Sequence, residues 1–378
     1  MGSSENRKQA LKAIWDAAIA SVSGAQAVEN VITTDSPYQP DLIIAVGKAA
    51  AGMCRGALTG QTEPCEAIVI TKHQHGDGEL RSRERITVIE SGHPIPDRYS
   101  LQAGALLLDR VSNMDPVSRL LMLVSGGASA LAEVLPNGMN LADLQSLTDD
   151  MISTGITIGE INNRRKDMSL IKDGKLLQQF TGAEIRVYAI SDVEGDNIST
   201  IGSGIGDCHR ASAKANSTII ASNQIAREKA AEAAVSLGLE IRQNDESLYE
   251  DVFELAKRIG PRLQDAAPGI YIWGGEPTII LPRNPGQGGR NQSLALALSE
   301  YLSGSDNISL LVAGTDGTDG PTSAAGGLVD GYTFADPEAA HRALQNADAG
   351  TYLEQQASLF VTGPTNTNVM DLAIAIVE

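Results

Sequence analysis

Asp41-Leu42-Ile43-Ile44-Ala45-Val46-Gly47-Lys48-Ala49-Ala50-Ala51-Gly52-Met53 decides how this chain is read. Leu42 to Val46 is apolar without alternation, the pattern of a strand buried on both faces of a parallel sheet. Gly47 and Lys48 end the run, and small residues then open a helix. Strand, glycine, helix is the anion-binding geometry of α/β folds, because N–H groups of the turn face the ligand. Lys48 is then an anion ligand or an ordinary helix-start lysine. The turn is not a Walker A loop, and no Gly-x-Gly-x-x-Gly fingerprint occurs anywhere in the chain.

The same unit recurs downstream. Strands are expected at 67–71 and 86–90, the second running into Ser91-Gly92-His93-Pro94-Ile95-Pro96-Asp97. His93 reads there as a loop-packing residue or a substrate contact. A helix over 98–113 leads to a strand at 120–124 and to Ser125-Gly126-Gly127-Ala128-Ser129-Ala130-Leu131, again strand, glycines and helix start. No Gly-x-Ser-x-Gly elbow marks a hydrolase nucleophile. Turns of this kind, repeated through one half, describe a doubly wound parallel sheet whose ligands bind beyond the carboxyl ends of the strands. Within Ile161-Asn162-Asn163-Arg164-Arg165-Lys166-Asp167-Met168-Ser169-Leu170-Ile171-Lys172, the densest basic run, a helix would put Arg165, Ser169 and Lys172 on one face. A strand at 185–190 then delivers Ser191-Asp192-Val193-Glu194-Gly195-Asp196, carboxylates of the kind Mg²⁺ shares with phosphate oxygens.

A second domain is placed at 213–378, after a first at 1–212 whose opening helix spans 6–30. It begins with strands at 218–221 and 239–242 and helices over 223–236 and 248–266. An apolar run at 270–273 ends in Gly274-Gly275-Glu276-Pro277-Thr278. Pro285-Gly286-Gln287-Gly288-Gly289 then brings the chain to Arg290-Asn291-Gln292 and a helix from 293. Glycines before a helix make a natural anion site, to which Arg290 adds a planar fork. The plainer reading is a Gly-rich hairpin with an exposed arginine. After a strand at 308–312, Asp316 and Asp319 in Gly314-Thr315-Asp316-Gly317-Thr318-Asp319-Gly320 hold a metal or form Asx-turns. A strand at 359–361, the loop Thr362-Gly363-Pro364-Thr365-Asn366-Thr367-Asn368 and a terminal helix close the chain.

At 378 residues the chain exceeds one small core, and 38 glycines against 4% aromatics favour an α/β enzyme with Gly-rich loops. A net charge of −18 repels nucleic acid and anionic membranes, so any anion must be met by locally concentrated basic residues. The three cysteines, Cys54, Cys65 and Cys208, form no Cys-x-x-Cys and suggest a reducing compartment without structural zinc. No run approaches the roughly 18 apolar residues of a membrane helix. Met1-Gly2-Ser3-Ser4-Glu5 holds no signal core, so a cytoplasmic location is expected.

Together, Val46-Gly47-Lys48-Ala49-Ala50, Ser91-Gly92-His93-Pro94, Ser125 to Leu131, Ser191 to Asp196, Gly274 to Thr278, Gly288 to Gln292, Gly314 to Thr322 and Thr362 to Asn368 resemble the class II glycerate 2-kinases. They do so in order and over nearly the whole chain. The resemblance implies a Rossmann-like N-terminal domain, a smaller MOFRL-type α/β domain with a mixed sheet, and an active site in the interdomain cleft. It implies ATP- and Mg²⁺-dependent phosphorylation of the 2-hydroxyl of D-glycerate, with Lys48, Asp192 and Arg290 as catalytic residues. Asp192 is then base or metal ligand, with Asp316 as a second candidate for the metal. Substrate or nucleotide binding is expected at Gly47, Ser125, Gly126, Gly127, Ser129, Arg165, Lys172, Glu276, Gly288, Gly289, Asn291, Thr315, Asp316, Asp319 and Asn366. The partners implied are a small anionic substrate and a nucleotide, with the oligomeric state open; a hydroxypyruvate reductase or a kinase of a related sugar acid is the alternative. The chain departs from the family at Asp167, Asp173 and Ser203-Gly204-Ile205-Gly206, and Asp167 and Asp173 add negative charge to the basic run.

Overall fold

The computed structural model describes residues 3–34, 38–59, 61, 65–153 and 158–378, with the backbone alone over 148–153 and 158–162. Met1 and Gly2 of the leader reading lie outside the described residues, as do the side chains of Ile161 and Asn162 in the basic run.

The chain forms two compact units, Val22–Ser222 and Met1–Ser21 with Asn223–Glu378. The break drawn at 212/213 therefore moves at both ends. The helix expected over 6–30 is two, Ser4–Val22 and Gly24–Thr34, and only the second belongs to the Val22–Ser222 unit. Gly24–Thr34 packs closely on the helix Ala50–Thr59, where a Cβ on Gly56 would lie 2.2 Å from the Ala25 carbonyl oxygen.

The Val22–Ser222 unit is built on strands Leu42–Val46 (β1), Glu66–Lys72 (β2), Ile86–Ser91 (β3), Arg119–Val124 (β4), Glu184–Ile190 (β5) and Lys214–Ala221 (β6). All pair in parallel, in the order β3-β2-β1-β4-β5-β6. This is the doubly wound order, and it reverses between β1 and β4. The continuous apolar run of β1 is wholly buried, as a strand covered on both faces requires. β6 is the edge strand of this sheet and not the first strand of the next.

The other unit holds a mixed sheet of Ile241–Glu246 (β7), Gly269–Gly275 (β8), Ile308–Gly314 (β9), Gly326–Asp330 (β10), Leu359–Phe360 (β11) and Asp371–Val377 (β12). Its order is β11-β10-β9-β12-β8-β7, with β7 and β8 parallel and the other pairs antiparallel. The expected terminal helix is β12, a central strand between β8 and β9. Its residues are all buried, so neither strand alternation nor a helical stripe shows in the sequence. Among the described residues no helix is long and apolar enough to cross a membrane.

Candidate active site

At the β1–β4 switch point the two glycine turns are laced together. The Lys48 amide donates to the Gly126 carbonyl (2.9 Å), the Ala49 amide to Ser125 Oγ (3.1 Å), and the Ser125 amide to the Val46 carbonyl (3.0 Å). A Cβ on Gly47, whose φ is +135°, would lie 2.1 Å from Ser125 Oγ, so only glycine admits this approach. The Lys48, Ala49 and Ser125 amides are thus committed inside the fold, whereas those of Gly126 and Gly127 make no hydrogen bond with a described residue. The helix after Gly127 is also short, Ala128–Leu131. Ser129 is likewise occupied, its Oγ 2.7 Å from Ser203 Oγ.

Three side chains, those of Asp192, His93 and Lys48, converge on Gly126 and Gly127. A Cβ on Gly126 would lie 1.9 Å from Asp192 Oδ2; one on Gly127 would lie 3.0 Å from the His93 ring and 3.3 Å from Lys48 Cγ. Lys48 and Arg165, both half-buried, make no ion pair or side-chain hydrogen bond with a described residue. Burial, and then the charges of Lys48, Lys72 and Arg165, push His93 down to about 4, which keeps its imidazole neutral.

The basic run resolves differently from its expected helical face. The helix Ile158–Asp167 stops before Ser169, which caps the following turn through its Oγ, 3.2 Å from the Ile171 amide and 3.1 Å from that of Lys172. Lys172 is wholly buried, its ammonium 3.6 Å from Glu133 and bonded to the Ala132 carbonyl (2.5 Å). Glu133 also accepts a hydrogen bond from Ser169. Lys172 is therefore an internal ion-pair partner and offers no charge to a ligand. Asp173 is paired too, with Arg210 at 2.5 Å. Arg210 and Lys166 neutralise it, which removes the concern that it spoils the basic site.

In the other unit the opening stretch holds an arginine gripped by acids. Arg290 begins the helix Arg290–Leu302; its Nε donates to Asp371 Oδ2 (2.7 Å) and its Nη1 to Glu276 Oε1 (2.8 Å). The helix start expected to bind an external anion already holds one. Asp319 accepts from the amides of Asn291 (3.1 Å) and Gln292 (2.8 Å), and a Cβ on Gly289 would lie 2.3 Å from its carboxylate. Gly288 has its own tight neighbour, the Gly350 amide nitrogen 3.0 Å from its Cβ position. Burial pushes Asp319 up despite these bonds. Burial also pushes Asp371 up to about 7, against the pull of Arg290.

Asp316 forms an Asx-turn, accepting from the Thr318 amide and hydroxyl, both at 2.9 Å. Thr315 is buried, with its hydroxyl on the Met370 carbonyl (2.6 Å), whereas Asn366 is exposed at φ +59°. No group of three His, Cys, Asp or Glu side chains able to hold a metal occurs among the described residues. Mg²⁺ needs less, since one or two carboxylates suffice when phosphate oxygens complete its shell. Half-buried Asp192, beside Gly126, is placed for that use, and one Asp316 carboxylate oxygen is engaged in the Asx-turn. His93, which the sequence leaves between loop packing and a substrate contact, lies against the Gly127 turn, whereas Asp371 was not singled out, although it is the one acid opening an apolar segment.

Residues 10–237 match the DUF4147 domain of unknown function and residues 269–371 the MOFRL family. D-glycerate 2-kinase of Thermotoga maritima is 31% identical, over 89% of this chain and 90% of that one. Glycerate 2-kinase of Pyrococcus horikoshii is 33% identical, over 89% and 87%. The chain belongs to the glycerate 2-kinase family. The crystal structure of glycerate kinase from Thermotoga maritima superposes with a TM-score of 0.90 at 29% identity, covering 99% of this chain and 100% of that one. An Agrobacterium vitis relative, 30% identical over 98% of this chain and 94% of its own, carries hydroxypyruvate reductase as a provisional name.

Proposed function

We propose that this protein is an ATP- and Mg²⁺-dependent kinase that converts D-glycerate to 2-phosphoglycerate. The observation that carries the reading is Lys48, a half-buried ammonium without an ion pair among the described residues, set beside Asp192 at the β1–β4 switch point. Phosphoryl transfer asks chiefly for positioning and charge neutralisation. The glycerate 2-hydroxyl oxygen bonds to the γ-phosphorus as the bond to the β,γ-bridging oxygen breaks and ADP leaves. Lys48 offsets charge on the transferring group. Asp192 accepts the hydroxyl proton, or holds Mg²⁺ together with nucleotide oxygens. Arg290, in the other unit, is proposed as a further catalytic cation, its Nε held by Asp371 and its Nη1 by Glu276.

The test is to incubate the protein with D-glycerate, ATP and Mg²⁺, and in parallel with hydroxypyruvate and NADH. ADP release that requires the acid, with product consumed by enolase without added phosphoglycerate mutase, is the expected result. Oxidation of NADH without ADP release would replace the kinase by a reductase.

A further inference from the structure

The Val22–Ser222 unit gathers cations around a histidine that the phosphoryl-transfer scheme leaves unused. His93 leaves the end of β3, Lys72 ends β2, Lys48 follows β1, and Arg165 lies near the end of the helix Ile158–Asp167. In a protein of net charge −18, three cations around one imidazole are an exception to the general surface. Among the described residues Glu133 is the acid whose charge reaches Arg165, yet its oxygens serve Ser169, Lys172 and the Val134 amide (2.9 Å). The glycine at 127 lets the His93 ring and the Lys48 stem close on the turn from two sides, since any side chain there would press on both. Lys48 and Arg165 are half-buried without an ion pair to a described residue, and such cations are costly to hold unless an anion completes them.

We infer that His93, with Lys48 and Arg165, forms a subsite for an oxyanion of the reactants, either the carboxylate of the hydroxy acid or a phosphate of the nucleotide. This rests on the kinase reading and adds to it a residue, His93, that touches the ligand. The neutral imidazole donates one hydrogen bond to the oxyanion while Lys48 and Arg165 supply the charge. Lys72 contributes to the field from β2. A bound oxyanion offsets the neighbouring cations, so His93 takes up a proton more readily when the subsite is filled.

The experiment measures binding without turnover, on the full chain. Imidazole resonances of His93, assigned by loss in His93→Gln, are followed while D-glycerate, Mg²⁺-free ATP or inorganic phosphate is added separately. Calorimetry gives Kd for the wild type, His93→Gln, Arg165→Gln and Arg165→Lys, with circular dichroism confirming that each variant is folded. The expected result is that at least one of these probes shifts the His93 resonances and raises the pH at which they titrate. Its Kd rises roughly tenfold or more in His93→Gln and Arg165→Gln, with partial recovery in Arg165→Lys. Response to D-glycerate alone assigns the carboxylate, and response to ATP and phosphate assigns the nucleotide. Unmoved His93 resonances with saturating D-glycerate and ATP, together with unchanged Kd in folded variants, would overturn the subsite. A protein that binds phosphate at His93 but does not phosphorylate glycerate would overturn the kinase reading and leave the subsite standing.

Discussion

Arg290 is tied to Asp371 through Nε and to Glu276 through Nη1, and its side chain is one-third exposed while that of Asp371 is almost wholly buried. Burial lowers the affinity of its guanidinium for a proton, but the two carboxylates outweigh that and raise it, so the charge is permanent. A planar fork held on two nitrogens has its orientation set before any substrate arrives, which a single flexible ammonium cannot reproduce. If Arg290 stabilises the transferring phosphoryl group, Arg290→Lys loses on the order of 10³ in kcat, about 4 kcal/mol. KM for glycerate should move far less, because the interaction is made mainly in the transition state. Steady-state kinetics check this. Near-normal kcat with a many-fold higher KM would make Arg290 a ground-state clamp.

The helix Arg290–Leu302 shows how an element can be read correctly while its end is misread. Its start after a glycine run was plain in the sequence, but the ligand at that start is Asp319, 27 residues beyond Gln292 in sequence. Nothing local to Gly288-Gly289-Arg290 reveals so distant a partner. Asp319→Ala should lower stability to urea by about 2 kcal/mol or more, because it removes a cap and leaves buried donors on Asn291 and Gln292 unpaired. Asp319→Asn should lose less, and an unchanged midpoint in the alanine variant would mean water replaces the carboxylate freely. The same distinction explains what else was legible. β1 and the helix Asn223–Ser236 carry their signals within a few residues, the first as an unbroken apolar run. Lys172 looked like a ligand because Glu133, its partner, lies 39 positions away in another element. β12 looked helical because burial on both faces erases periodicity, and alanines at 373 and 375 tilt the local preference the wrong way.

For the whole molecule, the two candidate sites impose opposite dependences of stability on pH. His93 falls from 6.5 to about 4 on folding, so between those values the unfolded chain binds more protons than the native one. Its contribution is complete above pH 6.5 and is lost as pH falls toward 4. Asp371 rises from 3.8 to about 7, so the native chain binds more protons over that range. Its contribution is complete below 3.8 and is lost as pH rises through 7. Between pH 4 and 6.5 the two slopes oppose each other and the wild-type profile is flattened. The net charge of −18 adds self-repulsion that varies with salt, so ionic strength must be held fixed. Removing one group should expose the other. His93→Asn, lacking the first term, should gain stability relative to wild type as pH is lowered from 6.5 to 4.5. Asp371→Asn should lose it over the same interval, whatever its offset at neutral pH. Thermal unfolding midpoints of the three proteins at matched ionic strength check the sign. Parallel curves for wild type and His93→Asn would show that His93 titrates normally in the native protein, and that neither burial nor the neighbouring cations act on its ring.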